Sequence, residues 1–266
     1  MRLSIDHRTV YRFTEPQARL VQMLRVNPQN SHDQTVASWR IDVDHDARMR
    51  EGHDGFGNAV TMLYVDGPVE AIEIAVQGEV VTSHSDGVLH GVHEPLPAAL
   101  FRRSTPKTAI DDALAAFARD AAAGDDPHRA LHRLNAAVKT MLAVERGRGA
   151  PGVTAAETLA RRSGTARDLA HVFVAGARSL GIPARYVSGY RLGGGGHRLA
   201  PHGWAEAWCE DIGWIGFDPC TGLSPEDGYV RVAIGLDSIG AAPVAGSRLG
   251  EGEEELDVDV TVLREE

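Results

Sequence analysis

The first third of the chain alternates apolar and polar positions with the period of two that a half-buried strand requires. In residues 2–13 one parity carries Leu3, Ile5, His7, Thr9, Tyr11 and Phe13; in residues 36–43, Val36 and Ser38 stand against Trp39, Ile41 and Val43. The segment HDGFGN at 53–58 holds Asp54-Gly55 and Gly57-Asn58, residues that tolerate the positive φ a chain reversal needs. Strand-like runs through Val60, Met62 and Tyr64 and, past Gly67-Pro68, through Val69–Val81 follow it. Four or five strands with short turns and no helical period predict an N-terminal β-sandwich-like module over residues 1–85.

Residues 86–104 are rich in His, Gly and Pro and read as a linker. The pattern then changes to helix starts. Thr105-Pro106 and Asp126-Pro127 each pair a capping side chain with proline at the first helical position. Thr154 with Glu157, and Thr165 with Asp168, have the spacing of capping boxes. The second box opens an apolar run that predicts a helix over about 166–180, stopped by Leu180-Gly181-Ile182-Pro183. Strand-like runs return at 184–190, 202–209, 214–220 and 256–263. Residues 105–266 are therefore expected to form one core of helices packed on an antiparallel sheet, with a C-terminal strand. The fold class is α+β.

Charge and composition narrow the function classes. The 266 residues include 27 Lys+Arg and 37 Asp+Glu, a net charge of −10, which repels phosphate backbones and argues against nucleic-acid binding. No apolar run approaches the ~20 residues of a membrane span, and the N-terminal MRLSIDHRTVYRF lacks the continuous apolar stretch of a signal peptide. A soluble cytoplasmic protein is expected. The two cysteines, Cys209 and Cys220, make no disulfide framework.

Candidate chemistry concentrates in residues 163–222. Thr165 caps a helix whose first residues are Ala166 and Arg167, and a helix N-terminus favours a thiolate or an oxyanion. His202 begins a strand that turns near Asp211 and returns through Asp218, so the two side chains share a face of the hairpin. A histidine oriented by a carboxylate is the base half of a nucleophilic triad. This geometry lacks only the nucleophile.

The runs SGTARDLAHVFVAGARSLGIPARYVSGY and HGWAEAWCEDIGWIGFDPCTG resemble the bacterial transglutaminase-like family of papain-related thiol enzymes. In that family a helix opens with Gly-x-Cys-x-Asp-x-Ala-His, a strand carries His-x-Trp-x-Glu, and its partner carries Phe-Asp-Pro. HRTVYRFTEPQ, LRVNPQN and HDGFGNAV resemble the β-rich module that precedes the core in such proteins, and YVRVAIGLD…AAPVAGSR resembles their usual ending. The resemblance implies a papain/transglutaminase-like core, a general base at His202 and its orienting carboxylate at Asp218. It places Arg167, Asp168, His171, Trp204 and Glu206 around them. The nucleophile position falls on Ala166, whose methyl group cannot attack a carbonyl. The implied substrate is a peptide or protein amide, including glutamine-type amides, with peptide hydrolysis slightly ahead of transamidation. As it stands the chain is expected to be inactive. Two explanations compete: an engineered Cys-to-Ala change, favoured by the intact surroundings, and a natural pseudoenzyme that serves as a peptide- or protein-binding module.

Other candidates have plainer readings. Cys209 has the wrong parity to face His202, and Cys220 lies two residues beyond Asp218, ~6–7 Å along an extended strand; buried packing is expected for both. Asp168 and His171 are better explained as a capping carboxylate and a buried helix histidine than as metal ligands. His128 and His132, at i and i+4, lack the glutamate and the third ligand of a zinc site. His84, His90 and His93 read as exposed linker residues. The Gly193–Gly196 run is not followed by a phosphate-loop Lys-Ser/Thr and reads as a mobile flap ahead of His202. No cofactor and no metal centre are expected.

Overall fold

The computed structural model describes residues 1–124, 126–147, 149–193 and 200–265. Its N-terminal part is organised by two long antiparallel strands, β1 (Arg2–Leu24) and β4 (Ala59–Thr82), with β2 (Gln34–Val43) and β3 (Ala47–His53) between them in sequence. Both long strands bend. The register between them shifts between Arg12 and Gln17 and again before Arg19. One half of β4 then carries β2 and the other half carries β3. Leu20, Leu24, Leu63 and Val65 from one half share a core with Tyr11, Ile72, Ile74 and Val76 from the other. The two halves thus face each other as the layers of a sandwich do, although the strands run continuously through the bend.

The helices follow. Thr105-Pro106 starts only a single 3-10 turn at Pro106–Thr108, where the Thr108 hydroxyl accepts the Thr105 N–H. The first α-helix, α1 (Asp112–Ala121), begins at its own cap, Asp111. Asp126 caps α2 (Pro127–Met141) through the N–H groups of His128 and Arg129. The short strand β5 (Ala143–Val144), α3 (Ala155–Arg161) with its Thr154–Glu157 capping box, and the short strand β6 (Ser163–Gly164) lead to α4 (Ala166–Ser179). Residues 168–178 of α4 are all buried, which explains a sequence apolar on nearly every face. At Gly176 a β-carbon would press on Leu134 and Ala118, so glycine there lets α1 and α2 approach closely.

Helix α4 packs on an antiparallel sheet of β7 (Ala184–Arg191), β8 (His202–Cys209), β9 (Gly213–Phe217) and β10 (Tyr229–Gly235), in the order β10-β7-β8-β9. The fully buried Phe173 stacks on Phe217 at 4.9 Å between ring centres, and burying one such side chain contributes about 2–3 kcal/mol.

The last two strands correct one expectation. The sequence pattern places the C-terminal strand with the core, but β11 (Val244–Leu249) and β12 (Glu254–Glu265) both pair with β1, completing the N-terminal sheet. The alternation Val258, Val260, Val262 needs a half-buried sheet face, and the edge of β1 supplies it beside Leu3 and Ile5. Residues 86–104, expected as a linker, lie against the core. Leu89 N–H donates to Trp214 O and Gly216 N–H to Gly87 O, each at 2.8 Å, covering the outer edge of β9. At the opposite edge, Gln34 and Asn58 of the N-terminal module each make two hydrogen bonds to the backbone of β10, at Arg231 and Ile234. Asn58 is held for this by Asp54, so the HDGFGN turn also serves as a dock.

Candidate active site

Three positions singled out in the sequence meet at one cavity of about 750 Å3. Ala166 and His202 line it directly, and Asp218 stands behind His202. Ala166 is the first residue of α4, where backbone N–H groups have no partner within the helix. Thr165 and Asp168 hold this helix end. The Asp168 carboxylate accepts from the Thr165 N–H at 3.0 Å, from its hydroxyl at 2.7 Å, and from Arg167 Nε at 3.0 Å. Burial opposes its charge, but the Thr165 and Arg167 hydrogen bonds outweigh it and hold the carboxyl below its ordinary range.

His202 Nε2 lies 2.9 Å from Asp218 Oδ2, and both side chains are buried. The same oxygen accepts the Tyr229 hydroxyl at 2.7 Å, and Oδ1 accepts the Cys220 N–H at 2.9 Å. The Arg191 guanidinium stands 3.7 Å away. Burial works against the Asp218 charge, yet His202, Tyr229 and the Cys220 N–H hold its carboxyl below the usual range. Trp204 stacks near the His202 ring at 6.2 Å and meets Tyr229 edge-on at 5.6 Å. An imidazole pinned by an ionised carboxylate at one nitrogen, with its ring at a cavity, is an arrangement able to move protons to and from a bound group.

Two of the surrounding residues sit elsewhere than beside the reacting groups. Glu206 is four residues along β8 from His202, about 13 Å at strand spacing. It binds Arg185 Nε at 2.6 Å and Arg231 Nε at 2.7 Å in a buried ion cluster that Glu94 completes. Burial opposes its charge, and the two guanidinium groups pull its pKa down to about 2. His171 is buried under Tyr186, and its Nε2 accepts the Ser238 N–H at 3.0 Å. Burial lowers its pKa to about 4, which keeps it neutral and fixes the loop after β10.

Cys220 is placed differently from the extended-strand expectation. Strand β9 ends at Phe217, and the N–H groups of Thr221 and Gly222 both turn back to Asp218 O. The turn brings the thiol to the cavity. One ligand atom each of His202, Asp218 and Cys220 lies within 4.8 Å of the others. Burial, then the Asp218 charge, pushes the thiol pKa well up. Both cysteines are buried in the helix–sheet core, as expected, and Cys220 also lines the cavity.

Tyr229, Arg191 and the N-terminal module carry no sequence signal for the site they join. His7, Thr9 and Tyr11 of β1 and Leu256 and Val258 of β12 form one wall of the cavity. His7 Nδ1 lies 2.9 Å from the Tyr190 hydroxyl, bridging module and core. His128 and His132 stand with Nε2 atoms 3.1 Å apart, and the described residues bring no third ligand to them. His84, His90 and His93 are exposed. Of the Gly193–Gly196 run, residues 194–196 lie outside the described residues.

Residues 3–81 match the family model of the bacterial transglutaminase-like N-terminal region, and residues 115–219 match that of the transglutaminase-like superfamily. An uncharacterized protein of Mycobacterium leprae is 25% identical over 277 residues, covering 99% of each chain. A protein-glutamine gamma-glutamyltransferase of Pseudomonas aeruginosa is 34% identical over 84 residues, covering 29% of this chain and 12% of that protein. A protein of Cytophaga hutchinsonii assigned provisionally to the cysteine proteases has the same fold. Its crystal structure superposes with a TM-score of 0.76 at 21% identity, over 100% of this chain and 92% of that one.

Proposed function

The chain belongs to the transglutaminase-like superfamily, and from that premise we propose that it is an amide-directed thiol hydrolase or acyltransferase scaffold, silent for want of a thiol at position 166. The observation that carries this reading is the buried His202–Asp218 pair opening onto the same cavity as the α4 N-terminus at Ala166. A thiol at that helix end would pass its proton to His202, and the thiolate would attack the amide carbonyl carbon. The α4 N–H groups face the charge that develops on the carbonyl oxygen. On collapse the carbon–nitrogen bond breaks, and His202 returns its proton to the leaving amine. Water then cleaves the thioester, which gives hydrolysis; an amine in its place gives transamidation. Hydrolysis is the outcome we favour, since it needs no second substrate. With the methyl group of Ala166 no thioester forms, and the cleft holds a peptide without cleaving it.

The test compares the chain with its Ala166→Cys variant, treating both with a thiol alkylator at neutral pH and mapping the label by mass. Fast labelling at position 166 that His202→Ala slows by about tenfold or more supports the reading. The double variant then isolates the relay. Labelling at the rate of an unactivated thiol, indifferent to His202, overturns it. A second reading, a natural peptide-binding module, is favoured by the intact cavity and predicts saturable peptide binding by the unaltered chain in either case.

A further inference from the structure

The described residues bring together one cluster of three metal-ligating side chains, in which Cys220, unused by the nucleophile chemistry, joins the His202–Asp218 pair. The imidazole of His202, the carboxylate of Asp218 and the thiol of Cys220 converge with one ligand atom each within 4.8 Å of the others. All three side chains are buried. From this geometry we propose that His202, Asp218 and Cys220 form a site for a single thiophilic divalent cation of the Zn2+ class.

Bonds of about 2.0–2.3 Å from a tetrahedral zinc ion leave its ligand atoms about 3.3–3.8 Å apart. The His202 nitrogen and Asp218 oxygen, now at 2.9 Å, need to part by only a few tenths of an ångström. The sulfur moves inward by about 1 Å at most, which a turn residue accommodates by side-chain rotation. A ligand set of one sulfur, one imidazole nitrogen and one carboxylate oxygen selects zinc or cobalt over magnesium or calcium.

The surroundings are those of a supported site. The Asp218 carboxylate is oriented by the Tyr229 hydroxyl and the Cys220 N–H, the kind of outer contact that fixes a ligating group. His202 and Cys220 line the cavity, so the fourth position of a tetrahedral ion faces open space and is available to water. Arg191, 3.7 Å from Asp218 and over the Tyr229 ring, is the opposing charge; its side chain is 29% exposed. Binding forms one bond to each ligand atom and releases the thiol proton to solvent.

The experiment titrates the chelator-treated, reduced chain with Co2+ and follows the thiolate-to-cobalt charge-transfer absorption. Calorimetry with Zn2+ gives stoichiometry. The expected result is one ion per chain with a thiolate band that C220S abolishes and C209S leaves unchanged, and a fall in zinc affinity of about 100-fold or more in C220S. Arg191→Gln, which removes the opposing charge, tightens binding. Circular dichroism confirms that each variant is folded. A cobalt complex without a thiolate band, a band that survives C220S, or an absence of binding overturns the proposal. No substrate and no thiol at position 166 enters this experiment, so its outcome is independent of the amide chemistry proposed above.

Discussion

Gly203 lies beside His202 on β8, and the Tyr186 hydroxyl occupies the space that a β-carbon at 203 would need. Tyr186 is itself buried against His171, so it has little room to retreat. Gly203→Ala is therefore expected to cost about 1–3 kcal/mol of stability by overpacking and to shift the strand that seats His202. In the Ala166→Cys background it should slow labelling at position 166 by about tenfold; an undiminished rate with full stability would show that Tyr186 does not seat the histidine. Ala166, His202 and Asp218 were legible because a capped helix start and strand parity place them without knowledge of the tertiary fold. For Cys220 the sequence gives the right face and the burial, but extended-strand spacing fails beyond Phe217, where hydrogen bonds to the Asp218 carbonyl and carboxylate turn the chain. Glu206 has the parity of His202, but parity carries no information about which arginines arrive from neighbouring strands.

Arg185 on β7 and Arg231 on β10 both reach Glu206 on β8, and Arg185 also reaches Glu94 in the segment before the helices, with both of its hydrogen bonds at 2.7 Å. The Arg185 guanidinium lies 3.8 Å over the Trp214 ring of β9. One carboxylate thus ties three strands, and the arginine it holds straps residues 86–104 onto the core. Glu206→Gln leaves two buried guanidinium groups short of a counter-charge, and a loss of about 3–5 kcal/mol is expected in urea unfolding. Glu94 is 27% exposed, so solvent screening discounts its share, and Glu94→Gln should cost no more than about 1 kcal/mol. Equal losses in the two variants would mean that the strap, rather than the tie between strands, carries the stability. A local reading saw helices and strands here but could not see the cluster. Its members lie at 94, 185, 206 and 231, and no periodicity connects them.

At the scale of the whole molecule, the chain closes on itself. Strands β11 and β12 return to β1, Gln34 and Asn58 cover the edge of β10, and β1 supplies a wall of the cavity. None of this was legible locally, because non-local pairing is decided by which sheet edges remain open once the nearer elements have paired. The closure buries two histidines, His7 in β1 facing Tyr190 and His171 in α4. Burial lowers both from the ordinary 6.5 to about 4. Burial, with help from His128, lowers His132 in the same direction. The unfolded chain therefore binds more protons than the folded one between these values. Their neutral forms support the fold fully above pH 6.5; that support is lost as pH falls and is gone by about pH 4, at up to ~3 kcal/mol for each fully buried ring. Asp168, Asp218 and Glu206, all held below their ordinary values, withdraw their share only at lower pH. Unfolding free energy measured in urea should fall steeply between pH 6.5 and 4.5. His7→Gln and His171→Gln should each start lower at pH 7 but decline less over that window. Parallel slopes in parent and variants would mean that neither buried imidazole governs the acid response, and that the interface between the N-terminal sheet and the core is not where acid opens the protein.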